Sequence, residues 1–240
     1  MKFFLDTHTH TIASGHAYST VSEMIASAKE KGLELLAITE HGLAMPGTCH
    51  RFYFDNYRVL RNKDFGIRVL FGAEANIMDY NGNLDLPEDL LKGLDLCIAS
   101  LHAPCCTPGT MEENTNAYIE AMKNPYIHII GHPDDGRYPI DYERLVKAAK
   151  EYGIALELNN SSLSPTTFRI NARENAITYL KLCKEYSVPV VLGSDAHCHQ
   201  DIANFPYALE ALRAANYPRD LVLNTSTDKF LAYLKSRSAK

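Results

Sequence analysis

No stretch of this chain approaches the roughly 20 apolar residues that a membrane-crossing helix needs, so the sequence offers no helical span. No C-x-x-C pair occurs among the six cysteines, Cys49, Cys97, Cys105, Cys106, Cys183 and Cys198. They read as buried or idle thiols of a reducing cytosol, not as metal thiolates. Positive charge is not in excess. The formal net charge is −5 and the pI is near 6.0, against a basic nucleic-acid surface although not against a local positive site. No linker, low-complexity tract or composition break interrupts the 240 residues, and one domain over 1–240 is expected. The opening Met1-Lys2-Phe3-Phe4-Leu5-Asp6 reaches an acid, then His8, before a signal-peptide apolar region can form. It reads as the first strand of a cytoplasmic protein.

Apolar residues at 46% and charged residues at 22% are ordinary for a soluble globular chain. Strand-length apolar runs recur at Phe3–Leu5, Leu33–Thr39, Ile67–Ala73, Leu94–Ser100, Ile127–Gly131, Ile154–Leu158 and Val188–Gly193. A late run, Leu221–Asn224, is an eighth or accessory strand candidate. Helix-like stretches separate them: Ser19 to Lys31, opened by the capping-box pattern Thr20-x-x-Glu23 and closed at Gly32, then Asp141 to Tyr152, Asn171 to Tyr186 and Phe205 to Asn216. Alternation of nearly continuous apolar strands with helices predicts an α/β fold, best matched by a (β/α) barrel. The alternative, a doubly wound open sheet, calls for a glycine-rich phosphate loop after the first strand, and none is present.

The ten histidines are the unusual count, and most fall in short clusters. His8 and His10, then His16, follow the first run; His41 follows the second; Glu74 the third; His102 the fourth; His132 the fifth; Asp195 and His197 the seventh. In a barrel these strand ends gather at one face, where catalytic groups belong. A lone histidine is ordinarily a hydrogen-bonded core or surface residue, but nine donors after six strands at one end are not independent accidents. Imidazole and carboxylate donors suit Zn²⁺, with Mn²⁺ or Fe²⁺ also compatible. Nine ligands exceed the needs of one ion and are generous for two, which makes three divalent ions sensible.

These motifs resemble the PHP domain family (polymerase and histidinol phosphatase), in particular its stand-alone bacterial phosphoesterases with a trinuclear zinc site. The resemblance rests on Asp6-Thr7-His8-Thr9-His10, Ser14-Gly15-His16-Ala17-Tyr18-Ser19-Thr20, Thr39-Glu40-His41-Gly42, Gly72-Ala73-Glu74-Ala75-Asn76, Gly131-His132-Pro133, Glu157-Leu158-Asn159-Asn160-Ser161-Ser162 and Gly193-Ser194-Asp195-Ala196-His197. It implies a distorted (β/α)7 barrel. It also implies one ion on His8, His10, Glu74 and Asp195, a second on Glu74, His102 and His132 with Glu74 bridging, and a third on His16, His41 and His197. The family more often has Asp where Glu40 stands, a change expected beside the cage and not on a metal.

The expected chemistry is hydrolysis of a small phosphomonoester by a metal-bridging hydroxide, with Glu74, Asp195 and His197 as the catalytic set. Such a cluster is a positive spot in an acidic chain, which focuses anions. Arg169, in the loop where the family places its substrate arginine, is a candidate phosphate grip. His50 is a second substrate-contact candidate, weighed against a surface role. His199 reads as a loop residue, His128 as a core histidine facing the barrel interior, and Tyr18 as one of several tyrosines that could line the pocket. The partner expected is a small phosphorylated substrate, with neither membrane nor stable nucleic acid, and self-association left open. Three rivals were weighed. An amidohydrolase calls for a bridging Lys after strand four and His after strands five and six, where this chain has His102 and Asn159-Asn160. A nuclease of the same family belongs to longer, polymerase-linked chains and suits a basic surface. A non-catalytic metal-binding domain would carry zinc without turnover.

Overall fold

Each of the first seven apolar runs overlaps a strand in the computed structural model, which describes residues 2–238. The strands are β1 (Leu5–Asp6), β2 (Leu35–His41), β3 (Arg68–Asn76), β4 (Cys97–Ser100), β5 (Ile129–Ile130), β6 (Ala155–Asn159) and β7 (Val190–Gly193). They pair in sequence order, each parallel to the next, as one seven-stranded sheet. β2, β3 and β6 run on past the apolar segments into His41, Asn76 and Asn159, because polar residues keep the ladder when their side chains find partners. The helices are α1 (Val21–Glu30), α2 (Arg51–Asp55), α3 (Arg58–Arg61), α4 (Glu88–Leu91), α5 (Met111–Met122), α6 (Tyr142–Tyr152), α7 (Ala172–Tyr186), α8 (Pro206–Ala214) and α9 (Thr227–Ser238). The predicted capping box of Thr20 and Glu23 starts α1, and Asp141 caps α6, which stops at Gly153 in the left-handed conformation.

Two apolar layers result. The larger lies between strands and helices and includes Ile38, Phe71, Tyr118, Val146, Tyr179 and Leu192. The smaller fills the barrel's lower half with Leu5, Leu35, Leu70, Ile98, Ile129 and Val191, and Phe230 and Leu234 of α9 cover it from below. Side chains alternate along a strand, so the inward parity of Leu35 continues to His41, that of Leu70 to Glu74 and that of Val191 to Asp195. Apolar filling below thereby turns into ligand chemistry above. The β2–β3 register sets His41 directly beside Glu74.

The expected eighth strand is corrected. Leu221–Asn224 forms 3-10 turns with one bridge, Val190 to Val222. Its role is closure. The Asn224 amide donates to Leu5 O at 3.0 Å and Leu192 O at 2.9 Å, and accepts from Leu192 N at 2.7 Å, spanning β1 and β7. Asp195 N donates to His8 O and His10 N to Ala196 O, both at 2.9 Å, joining the same seam higher up. His128 also departs from expectation. Ile129 takes the interior position, and His128 is buried next to Arg237 with its Nδ1 accepting from Cys97 N. No helix among the described residues is long and apolar enough to cross a membrane.

Candidate active site

The nine predicted donors meet at the upper barrel mouth. His8 Nε2 and His10 Nε2 are 3.0 Å apart. Glu74 Oε2 lies 3.3 Å from the first and 3.5 Å from the second, and Asp195 Oδ1 lies 3.7 and 3.3 Å away. The other Glu74 oxygen, Oε1, is 2.9 Å from His132 Nε2 and 3.3 Å from His102 Nε2, and those two nitrogens are 3.2 Å apart. His41 turns Nδ1 to Glu74 Oε2 at 2.8 Å and Nε2 to His16 Nε2 at 3.2 Å. The His197 ring centre lies 4.5 Å from that of His10 and 4.8 Å from that of His16. Donor atoms within 4.8 Å of one another form the triads His8–His10–Glu74, His41–Glu74–His102 and His10–His41–His197. The third expected set, His16, His41 and His197, is not among these triads, although its three rings are neighbours.

Hydrogen bonds behind the rings decide which nitrogens face inward. His8 Nδ1 donates to Glu157 Oε1 at 2.7 Å, His102 Nδ1 to Asn76 Oδ1 at 2.7 Å and His197 Nδ1 to Asp195 O at 2.9 Å. Ser14 gives its only proton to Glu40 at 2.6 Å, so its oxygen accepts from His10 Nδ1 at 3.0 Å and from His41 N. Each Nε2 is thereby turned to the cage with its lone pair free. Two such nitrogens at 3.0 Å accommodate one shared proton or one cation, never two N–H groups. His41 Nδ1, Glu74 Oε2 and His132 Nδ1 are also buried without a hydrogen-bond partner. Divalent ions fit this donor set, and its unbalanced charge calls for them.

The electrostatics agree. Burial lifts the carboxyl pKa of Glu74, but His8, His102 and His41 override it and hold the group well below the usual range. Asp195 is likewise held down, against burial, by His8, His10, His197 and Arg169. Burial pushes His10 well below an ordinary imidazole, helped by His41 and His197. His8 goes the other way: burial opposes charge, yet Glu157, Glu74 and Asp195 raise it well above the ordinary value. The pocket around His8 therefore demands a positive charge. His132 and Asp195 also hold positive φ, 27° and 55°, a strained backbone that persists where surrounding structure enforces it.

Several residues beyond the nine donors support the cage. Glu157 is fully buried and serves two ligand segments, through His8 and through His132 N at 2.8 Å. Gly193 makes room for it, since a Cβ there would fall 2.0 Å from Glu157 Oε1. Asp85 fixes Asn76 from behind at 2.6 Å. Glu40 accepts from Thr11 and Ser14 and so braces the His10 side from outside the cage. The place of Glu40 beside the cage is the one the sequence leads one to expect, whereas a paired partner two strands away leaves no trace in a single sequence, and only the Glu157-Leu158-Asn159 motif points to Glu157.

A cavity of about 760 Å³ opens over the cage, lined by His16, His41, His102, Asp195, His197 and Arg169 among others. The Arg169 side chain is 7% exposed. It lies 3.5 Å from Asp195 Oδ2, donates to Asn159 Oδ1 at 3.3 Å and to Ser162 Oγ, and its Nε, 3.9 Å from Asp135 Oδ2, makes no hydrogen bond. His50 is not brought to this cavity. It caps α2, accepting from Phe52 N through Nδ1, and its ring packs edge-on to Phe52. Tyr18 is 81% exposed and does not line the cavity, and His199 bonds Ser19 at 2.9 Å.

A probable phosphatase of Clostridium novyi is 52% identical over 99% of this chain and 96% of its own length. A probable phosphatase of a Thermoanaerobacter species is 50% identical over 100% of this chain and 98% of its own length. The crystal structure of histidinol phosphate phosphatase from Lactococcus lactis, complexed with zinc, L-histidinol and phosphate, is similar in fold. Its TM-score is 0.64 at 18% identity, covering 89% of this chain and 94% of that one. The family model of the PHP domain matches residues 6–161, which with these relatives establishes that the chain belongs to the PHP domain family.

Proposed function

We propose that this protein is a metal-dependent phosphatase that hydrolyses a small phosphomonoester at a three-ion site. His8, His10, Glu74 and Asp195 would hold one ion, Glu74, His102 and His132 a second, and His16, His41 and His197 a third. The donor set suits zinc, as in the Lactococcus relative, with manganese or iron as competitors. When bound, the ions would lower the pKa of water and neutralise phosphoryl charge.

The observation that carries this reading is the division of Glu74. One oxygen faces His8, His10 and His41, while the other faces His102 and His132. A carboxylate so placed is suited to bridging. Asp195 joins His8 and His10 on one side and touches Arg169 on the other, linking the cage to the cavity wall. Arg169 would grip the phosphate: its guanidinium lies beside Asp195 at the cavity wall, its Nε is engaged in no hydrogen bond, and a guanidinium matches two phosphate oxygens. His197, at the cavity edge, completes the proposed catalytic set. His50 has no part in this reading.

Elemental analysis of protein never exposed to chelator is expected to give close to three transition-metal ions per chain. One or none overturns the three-ion assignment. The loaded protein is expected to hydrolyse p-nitrophenyl phosphate in preference to the bis-ester, with activity abolished in Glu74→Ala and Asp195→Ala. Full metal content without turnover of any phosphoester would reduce the protein to a metal-binding domain.

A further inference from the structure

Phe168 is 73% exposed, yet it is held in place and not left to wander. Its loop is tied to the loop after β5 by Gly136 N donating to Ile170 O at 2.8 Å. That approach is close enough that a Cβ on Gly136 would sit 2.4 Å from the same oxygen. Within its own loop, Arg169 N donates to Thr167 Oγ1 and Thr167 N to Ser164 O. The guanidinium of Arg137 lies over the Phe168 ring, 4.7 Å from its centre. Arg137 is itself clamped by Asp135, through Nε to both carboxylate oxygens and through Nη2 at 2.6 Å.

Leaving an aromatic ring in water forgoes the benefit of apolar burial, and an exposed cation on the ring offsets that only in part. Phe168 lines the cavity above the cage. Met45 and Pro46 from the loop after β2, and Ala103 and Pro104 from the loop after β4, line the same cavity. The lining thus joins the charged and imidazole groups of the cage to a set of apolar side chains, with Arg137, Ser161, Thr167 and Asp201 as its other polar members. The volume, about 760 Å³, greatly exceeds what a phosphoryl group fills and lies in the range of small-molecule sites.

We propose that Phe168 is the stacking platform for the leaving group, and that the preferred substrates are phosphomonoesters carrying a flat aromatic or heteroaromatic ring near the phosphate. The inference rests on the phosphatase reading above and adds the substrate class to it. The phosphate enters the cage end, and the ring lies against Phe168 in the cavity that Met45, Pro46, Ala103 and Pro104 also line. Arg137 on the platform draws electron density toward itself, which favours stacking of an electron-rich ring. Polyhydroxylated leaving groups gain little from such walls.

The test compares phenyl phosphate with glycerol 2-phosphate on zinc-loaded protein, wild type and Phe168→Ala. The ratio of their kcat/KM values is expected to fall by roughly three- to tenfold in the variant, through KM for phenyl phosphate, and to be restored in Phe168→Trp. Competitive binding of benzylphosphonate against ethylphosphonate supplies a readout free of leaving-group chemistry, and its preference is expected to fall by a similar factor. Since Phe168 is exposed, the melting temperature of the variant serves as the folding check. An unchanged selectivity ratio in correctly folded Phe168→Ala overturns the platform while leaving the phosphatase reading intact. Failure of the loaded wild type to turn over either ester sinks both.

Discussion

At the scale of single residues, the site is governed by what stands behind the ligands. Glu157 fixes the His8 ring and, through a backbone N–H, the His132 segment. A carboxylate behind a metal-binding imidazole raises its basicity and locks its orientation, and losing one typically weakens metal affinity 10–100-fold. Glu157→Gln can preserve a hydrogen bond but removes the charge. It is expected to lower zinc affinity by about tenfold or more, read by competition with a chromogenic chelator. An affinity equal to wild type would show that Glu157 only fills space beneath Gly193.

The proposed metal donors are easier to find in a sequence than their supports. His, Asp and Glu after successive strands announce their chemistry by type and position. The role of Glu157 depends on a partner 149 residues away. Arg169 could be suspected from its loop, whereas the orientation of Phe168 against Arg137 depends on a contact between two loops. His50 lies away from the cavity for a local reason: it immediately precedes the start of α2, where its ring caps the helix.

At the scale of elements, strands were more legible than helices. α5 begins with a capping box, Thr110 with Glu113, the signal that reveals α1. Its buried face, however, includes Asn114 and Thr115, which hide the apolar period. Both are satisfied inside: Asn114 donates to Gly109 O and Pro139 O, while Thr115 donates to Met111 O and accepts from Asp141 N. Leu221–Asn224 misled in the opposite sense, being apolar enough for a strand. Its last side chain supplies the hydrogen bonds that an eighth strand's backbone would have made. Asn224→Ala removes three buried hydrogen bonds and is expected to destabilise the protein by about 3 kcal/mol in urea unfolding. A loss below about 0.5 kcal/mol would show that water replaces the amide and that the β1–β7 seam closes without it.

At the scale of the whole molecule, the barrel is tied at two ends by different chemistry. The proposed ions would cross-link six strand ends above. Below, α9 seals the apolar interior and Arg237 donates to the carbonyls of Asn124, Ile127 and Tyr152. An ion present at a thousandfold its Kd adds about 4 kcal/mol to stability. Chelation of the loaded protein is therefore expected to lower Tm on the order of 10 °C, reversed by zinc. An unchanged Tm would mean the cage is held open by protein contacts alone.

The lower end gives the acid dependence. His128 is 5% exposed, and burial, reinforced by the Arg237 charge, pushes its pKa down from 6.5 to about 4. A group whose folded pKa is depressed in this way takes its proton more readily when unfolded. Above pH 6.5 it is neutral in both states and costs nothing. As pH falls below 6.5 the unfolded state gains protons first and stability drops, until below about pH 4 both states are protonated and the loss is complete. At pH 5 the loss amounts to about 2 kcal/mol relative to pH 8. His128→Asn keeps an acceptor for Cys97 N but does not titrate. Whatever the variant loses at pH 8 in packing, its stability relative to wild type is expected to improve by about 2 kcal/mol on going to pH 5. Comparing the two proteins cancels the carboxylates and cage histidines they share, so urea midpoints at the two pH values isolate this residue. Parallel stability curves for wild type and variant would show that His128 is already charged in the folded barrel, or reaches water beside Arg237.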